Sequence, residues 1–230
     1  MYHSDLIIRD MQAGKLMALQ LEKALSGVKV QVLEQADKIG DGATRLLYYL
    51  SCYTDNYQDI CAKLKVEDIR FFDGLQQLIK DRNIILEMFK VYIELLFENK
   101  TPQQLEYIKR LLMKANVYIS TSTLTNQAFA LGITMAICLG FNVSMHIRSR
   151  VGSVSGAAAG GLGIYGIIQD AADSAQRLQM MSSVYYQALY LRNLEMMYFL
   201  IEPIFIKSSA FKTNILSDDD VAKTIINMVK

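Results

Sequence analysis

Residues 151–169 read VGSVSGAAAGGLGIYGIIQ, with six of the chain's 13 glycines and no charge. Two patterns overlap in it. Gly161, Gly163 and Gly166 fit G-x-G-x-x-G, the dinucleotide-binding fingerprint. Gly152, Gly156 and Gly160 fit G-x-x-x-G-x-x-x-G, which in a helix sets small residues along one face. The fingerprint needs a buried strand before its glycines and an acid about 20 positions later to hold the ribose. Here GAAAG precedes, and the corresponding region is Val184-Tyr185-Tyr186, without an acid. No G-K-[ST] ending marks a phosphate loop either, so no cofactor is expected. Each glycine in an ordinary soluble helix would cost about 0.8–1 kcal/mol relative to alanine. The surviving pattern is therefore a helix shaped for close backbone approach, the small-residue packing that membrane helices use.

Outward from this stretch, charge is distributed unevenly. Residues 1–114 carry sixteen basic and sixteen acidic side chains, and residues 170–230 carry six and seven. Between them, residues 115–169 hold only Arg148 and Arg150. The net charge of +1 creates no basic field for nucleic acid, and no nucleic-acid partner is expected. Two prolines in 230 residues, with abundant Leu, Ile, Met, Gln and Ala, favour long helices.

The pattern predicts an all-α fold. Leu6, Met11, Leu16, Leu19 and Leu25 lie at helical spacings, and Asp41 is placed to cap a helix through Leu46, Leu47 and Leu50. Asp55 is placed to cap a short helix bearing Ile60 and Leu64, and Ile69–Leu78 follows. From Ile84 to Phe97 only the stripe Glu87, Lys90, Glu94 and Glu98 is charged, so most of that helix is expected to be buried. Thr101-Pro102-Gln103-Gln104 is a capping box with proline at the first helical position, predicting a helix to about Ala115. Asp170–Ile201 reads as one long helix stopped by Pro203. Ser217-Asp218-Asp219-Asp220 reads as an N-cap and acidic first turn. The organisation expected is an amphipathic helical region over 1–114, an uncharged helical hairpin over 115–170, and a long helix with a short terminal one over 171–230. Together they form one globular bundle wrapping the hairpin.

No catalytic constellation emerges, and a non-enzymatic protein is expected. His3 and His146 form no metal-ligand spacing, so no metal site is expected. Cys52, Cys61 and Cys138 lack C-x-x-C spacing and are odd in number, which fits free thiols in a reducing compartment. MYHSDLIIRD shows no basic region followed by an apolar one, so synthesis in the cytoplasm without a signal peptide is expected. Export by a route that needs no cleaved signal stays open.

The uncharged centre supplies arms of 33 and 19 residues, 115–147 and 151–169, flanking the Arg148-Ser149-Arg150 tip. A spanning helix needs about 20 apolar residues. The first arm is diluted by Ser120, Thr121, Ser122, Thr123, Asn126 and Gln127, the second by glycine. Both stand between a core helix and a membrane span. Gly132 and Gly140 on the first arm, and Gly152, Gly156, Gly160 and Gly163 on the second, are the candidate helix-packing and membrane positions.

Such a centre resembles the bacterial pore-forming and membrane-depolarising toxins. In pore-forming colicins, an uncharged hairpin is wrapped by amphipathic helices in the soluble form and then inserts. Small type VI secretion and contact-dependent effectors carry glycine-zipper segments similar to GSVSGAAAGG. The resemblance covers residues 115–170 and is architectural, and the chain lacks a colicin's receptor and translocation regions. It implies export by a dedicated secretion system and entry into the bilayer of a target cell's inner membrane. Copies would associate into an ion-leaking pore, and an immunity protein would be the cognate partner. The other reading is a soluble helical binding or scaffold protein, adaptor- or immunity-like, whose hairpin is buried for packing alone. It would bind through Tyr185, Tyr186, Tyr190 and Tyr198.

Overall fold

The computed structural model describes residues 45–46, 48–53, 58–80, 84–117, 119, 125–140, 161–211 and 217–230. Among the described residues the fold is all-α, as the sequence pattern requires, with eight α-helices and two 3-10 helices. A 3-10 helix, Leu50–Tyr53, precedes α1 (Gln58–Lys80), α2 (Ile84–Phe97), α3 (Pro102–Lys114) and α4 (Asn126–Gly140). Then come α5 (Gly161–Met181), α6 (Ser183–Tyr190), a second 3-10 helix (Glu195–Leu200), α7 (Glu202–Ser208) and α8 (Asp218–Val229). The chain divides into two compact units, one of residues 1–64 with 152–170, the other of 65–151 with 171–230.

In the larger unit, α2 packs against α4 and α6, while α8 lies against α3, α4 and α7. α2 occupies the span its pattern predicts, with Ile84, Ile85, Met88, Phe89, Val91, Tyr92, Ile93 and Phe97 all buried. α3 begins as its capping box dictates. The Thr101 hydroxyl accepts from the Gln104 amide, and the Gln104 side chain accepts from the Thr101 amide. α8 is capped by Ser217, whose hydroxyl accepts from the Asp220 amide. Its acidic first turn is tied to α3 and the turn before it. Lys100 pairs with Asp218 at 2.7 Å, and the Tyr107 hydroxyl donates to Asp219 at 3.1 Å.

Six rings form the centre of this unit: Phe89, Tyr92, Tyr185, Tyr198, Phe205 and Phe211. Phe205 stacks on Phe89, Tyr185 and Phe211 at centroid distances of 5.6, 5.5 and 5.3 Å. It meets Tyr92 and Tyr198 edge-on at 4.8 and 5.5 Å. Buried phenols need acceptors. Tyr92 donates to the Ala210 carbonyl and Tyr185 to the Met88 carbonyl, both at 2.9 Å. The Tyr198 hydroxyl is buried without a hydrogen bond among the described residues. Burial pushes all three phenols above the ordinary range, and at Tyr198 the nearby Glu202 carboxylate adds to the rise.

Three expectations are corrected. Asp170–Ile201 is not one long helix. Its first turn lies further back, at Gly161, and the helix ends at Met181, where Ser182 caps α6 by accepting from the Tyr185 amide. α6 then stops at a left-handed Asn193 (φ 55°), with the Leu194 amide donating back to the Leu189 carbonyl. This is the helix-terminating loop for which asparagine, after glycine, is suited. Asn116 ends α3 and Ser209 ends α7 in the same way. Pro203 opens α7 rather than closing a helix, standing in its first turn where no amide donor is needed.

Second, the separate helices expected around Ile60–Leu64 and Ile69–Leu78 are one, the 23-residue α1. Gly74 sits inside it because a β-carbon there would come within 2.9 Å of Met197 Cγ and 3.0 Å of the Asn193 carbonyl. Third, Cys52 and Cys61 are not free thiols but a disulfide joining the 3-10 helix Leu50–Tyr53 to the first turns of α1, with Cα atoms 4.9 Å apart. Their nine-residue separation is no signature of pairing. The helical pattern expected from Leu6 to Leu25 and the caps at Asp41 and Asp55 lie outside the described residues.

Candidate functional site

The uncharged centre contributes two described elements, α4 and the first turns of α5. Gly132 and Gly140 lie on α4 and Gly163 on α5. Gly152, Gly156 and Gly160, the tip residues Arg148 and Arg150, and His146 lie outside the described residues, as does the turn that would join the arms. α4 belongs to the larger unit and residues 161–170 of α5 to the smaller. Gly161, Gly163 and Gly166 all stand within α5 rather than in a strand-to-helix turn.

α4 has no charged residue along its 15 positions. Thr125 caps it, its hydroxyl accepting from the Ala128 amide and its carbonyl from the Phe129 amide. Asn126 donates to the Phe97 carbonyl at the end of α2. One face buries Phe129, Ala130, Ile133 and Ile137, with Phe129 stacked on Phe97 at 5.1 Å. Thr134, on the same face, satisfies its hydroxyl on the Ala130 carbonyl one turn back. The opposite face is also apolar yet open: Leu131, Met135 and Leu139, four apart, are 46%, 44% and 75% exposed. A helix in water ordinarily turns polar residues outward; beyond Asn126 and Gln127 in its first turn, α4 turns Leu131, Met135 and Leu139 outward instead.

Cys138 stands on α4 as a free thiol, pushed by burial up to about 11 from an ordinary 9.0. Since only the thiolate attacks, Cys138 is a packing residue at neutral pH. At pH 8 its thiolate fraction should be about 100-fold below that of an unperturbed thiol. Alkylation of Cys138 should accordingly be slow at pH 8 and quicken about tenfold per pH unit towards 11. Rapid labelling of native protein at pH 8 would contradict this placement.

The first turns of α5 carry Tyr165, which meets Tyr49 edge-on at 6.2 Å, and buried Gly166, Ile167 and Ile168. The Gln169 side chain accepts from Arg45, a fully buried arginine that also donates to the Leu64 carbonyl. Further on, Arg177 forms a two-pronged pair with Glu202 of α7, both contacts at 2.7 Å.

The densest polar arrangement went unnoticed in the sequence. Glu195, 2% exposed, is gripped through both oxygens by Arg70 of α1. The guanidinium lies 3.6 Å from the centre of the Tyr190 ring and donates to the Tyr190 carbonyl. Tyr186 stacks on Tyr190 at 5.8 Å. With both carboxylate oxygens occupied, the group pins the irregular segment after α6 to α1 and is not a free base. Only one partner is legible locally, because the other stands 125 residues away. Glu195→Gln keeps the shape and removes the charge, and should cost about 1.5–3 kcal/mol in urea unfolding. An unchanged midpoint would show that the pair carries no net stability. Among the described residues no three His, Cys, Asp or Glu side chains are grouped to hold a metal ion.

No protein family, curated protein or solved structure matches this chain.

Proposed function

We propose that the protein is membrane-active: the uncharged centre, 115–169, enters a target bilayer as a hairpin tipped by Arg148-Ser149-Arg150. The faces lined by Gly152, Gly156, Gly160 and Gly163, with Gly132 and Gly140 on the other arm, let copies associate into an ion-leaking pore. The observation that supports this most is α4, uncharged throughout and, beyond Asn126 and Gln127 in its first turn, apolar on its open face as well as its buried one. Its row Leu131, Met135 and Leu139 meets water in the described fold and would meet hydrocarbon in a bilayer.

No helix among the described residues is long and apolar enough to cross a membrane. α4 itself covers about 22 Å at 1.5 Å per residue, against a hydrocarbon core of about 30 Å. Spanning therefore requires the residues beyond it: Asn126–Ile147 is 22 residues without a formal charge. The disulfide is in keeping with an oxidising compartment, as export to a target envelope would require.

Purified protein should release dye from anionic vesicles, and replacing Leu131, Met135 and Leu139 together by lysine should suppress release. A lysine at the centre of a spanning helix costs about 2.5–3.5 kcal/mol on insertion scales, so three should reduce entry by several orders of magnitude. Gly156→Leu with Gly160→Leu should separate binding from leakage, keeping the first and losing the second. Intact vesicles over the whole accessible pH range would overturn the reading.

A second reading, a soluble helical binding or scaffold protein, is favoured by one observation. Met180, Met181 and Val184 at the α5–α6 junction and Leu191 at the far end of α6 are exposed, and thioether-rich surfaces adapt to partner helices. Of the tyrosines named for binding, Tyr185 and Tyr198 are buried in the ring cluster, leaving Tyr186 and Tyr190 nearer the surface. That reading predicts vesicles left intact.

A further inference from the structure

We propose that the Cys52–Cys61 disulfide is a reducible latch holding residues 45–53 against the uncharged first turns of α5. The observations converge on one short segment. Its C-terminal end is bonded covalently to α1 through Cys61, and the Gln58 side chain donates to the Cys52 carbonyl across the same gap. Its N-terminal end is Arg45, whose buried guanidinium joins the Leu64 carbonyl of α1 to the Gln169 side chain of α5. Between them, Tyr49 meets Tyr165 edge-on. Cys61 and Leu64 are one turn apart and both buried, so the covalent and hydrogen-bonded anchors share a face of α1. The segment thus touches α5 at Tyr165 and Gln169, within the part of that helix that carries no charge.

Chemical access is one-sided. Cys61 is buried, whereas Cys52 is partly open. The reductant is a dithiol. One of its thiolates attacks the Cys52 sulfur, the S–S bond breaks, and the Cys61 sulfur leaves with the electron pair and takes up a proton. The second thiol of the reductant then closes on the mixed disulfide and releases Cys52 as a thiol. The chain gains two electrons and two protons, and the reductant becomes a cyclic disulfide. Cross-links act by restricting the released state. Once this one is cut, the backbone still links residue 53 to α1 but the nine-residue loop is open, so only non-covalent contacts fix residues 45–53 in place and Tyr165–Gln169 is freed more readily.

The latch's role as a trigger rests on the membrane-entry reading, but its mechanical claim does not. The full-length chain would be compared oxidised, treated with dithiothreitol, and as Cys52→Ser with Cys61→Ser, with Cys138→Ser in every sample. Amide exchange over 161–169 and dye release from anionic vesicles would be followed together. Exchange over 161–169 should rise about tenfold or more on reduction and in the double serine variant, with far-ultraviolet dichroism retained. Dye release should quicken in parallel. Faster exchange with vesicles left intact would keep the latch and remove the membrane reading. Equal exchange in oxidised and reduced protein would overturn the latch whatever the vesicles do. So would loss of the whole fold on reduction, or three titratable thiols in unreduced wild-type protein. Should the double variant fail to fold, reduction of the folded Cys138→Ser protein gives the same comparison.

Discussion

Raising the pH through 10 should unfold the larger unit steeply, with late and cooperative appearance of tyrosinate. Tyr92, Tyr185 and Tyr198 are buried among the rings around Phe205, and burial holds their phenols well above the ordinary 10.0. A buried phenolate would lose its hydration, and the acceptors of Tyr92 and Tyr185 are carbonyls, which repel it. Below pH 10 both folded and unfolded chains keep these protons, and the stability they contribute is fully present. Above it the unfolded chain ionises while the folded one does not, so stability falls as pH rises towards the folded values. Each phenol contributes a slope of about 1.4 kcal/mol per pH unit, and three about 4. Cys138, held up to about 11, adds to the fall between 9.0 and 11. Absorbance of tyrosinate and far-ultraviolet dichroism, followed together, should show the last phenols ionising only as helix is lost. Smooth titration of all 13 tyrosines near pH 10 with the helices intact would contradict the burial of this cluster.

Phe205→Ala should be the most damaging of the simple truncations, at about 3–5 kcal/mol. Phe205 touches all five of the other rings in the cluster, drawn from α2, α6, the second 3-10 helix and the turn after α7. Removing it leaves a cavity that each of those elements borders, and stacked neighbours on several sides limit collapse. With a urea dependence of about 2 kcal/mol/M, the midpoint should drop by roughly 2 M without a change in slope. A loss below about 1 kcal/mol would mean that the rings repack freely and that the cluster is not the unit's centre.

Where helix boundaries follow from local chemistry they were legible. The Thr101–Gln104 box, the Ser217 cap and the apolar run Ile84–Phe97 needed no tertiary information, because each end is satisfied by neighbours a few positions away. The expected Asp170–Ile201 helix breaks twice, and each break has a local mark, the Ser182 cap that opens α6 and Asn193, whose left-handed conformation ends it. After the second break, Arg70 holds Glu195 in the interior from 125 residues away. Apolar periodicity continues through Met196–Leu200, so hydropathy alone extends a helix through a segment that long-range pairing bends into a 3-10 helix. The disulfide was hidden for a similar reason, since a nine-residue spacing between two cysteines is no pairing motif and only the placement of Cys52 against α1 brings them together. Of the candidate site, the charge-free character of α4 and of the start of α5 was visible. The open row Leu131, Met135 and Leu139 was not, because sequence periodicity does not say which apolar face finds a partner.

The central claim, that the uncharged centre enters a bilayer, is tested most directly at Leu139. The chain contains no tryptophan. Leu139→Trp therefore places a single indole on the most open position of the α4 row. With anionic vesicles, its emission should shift to the blue and be quenched by lipids brominated deep in their acyl chains. Emission unchanged from that in buffer, with no quenching although the protein co-sediments with the vesicles, would contradict entry.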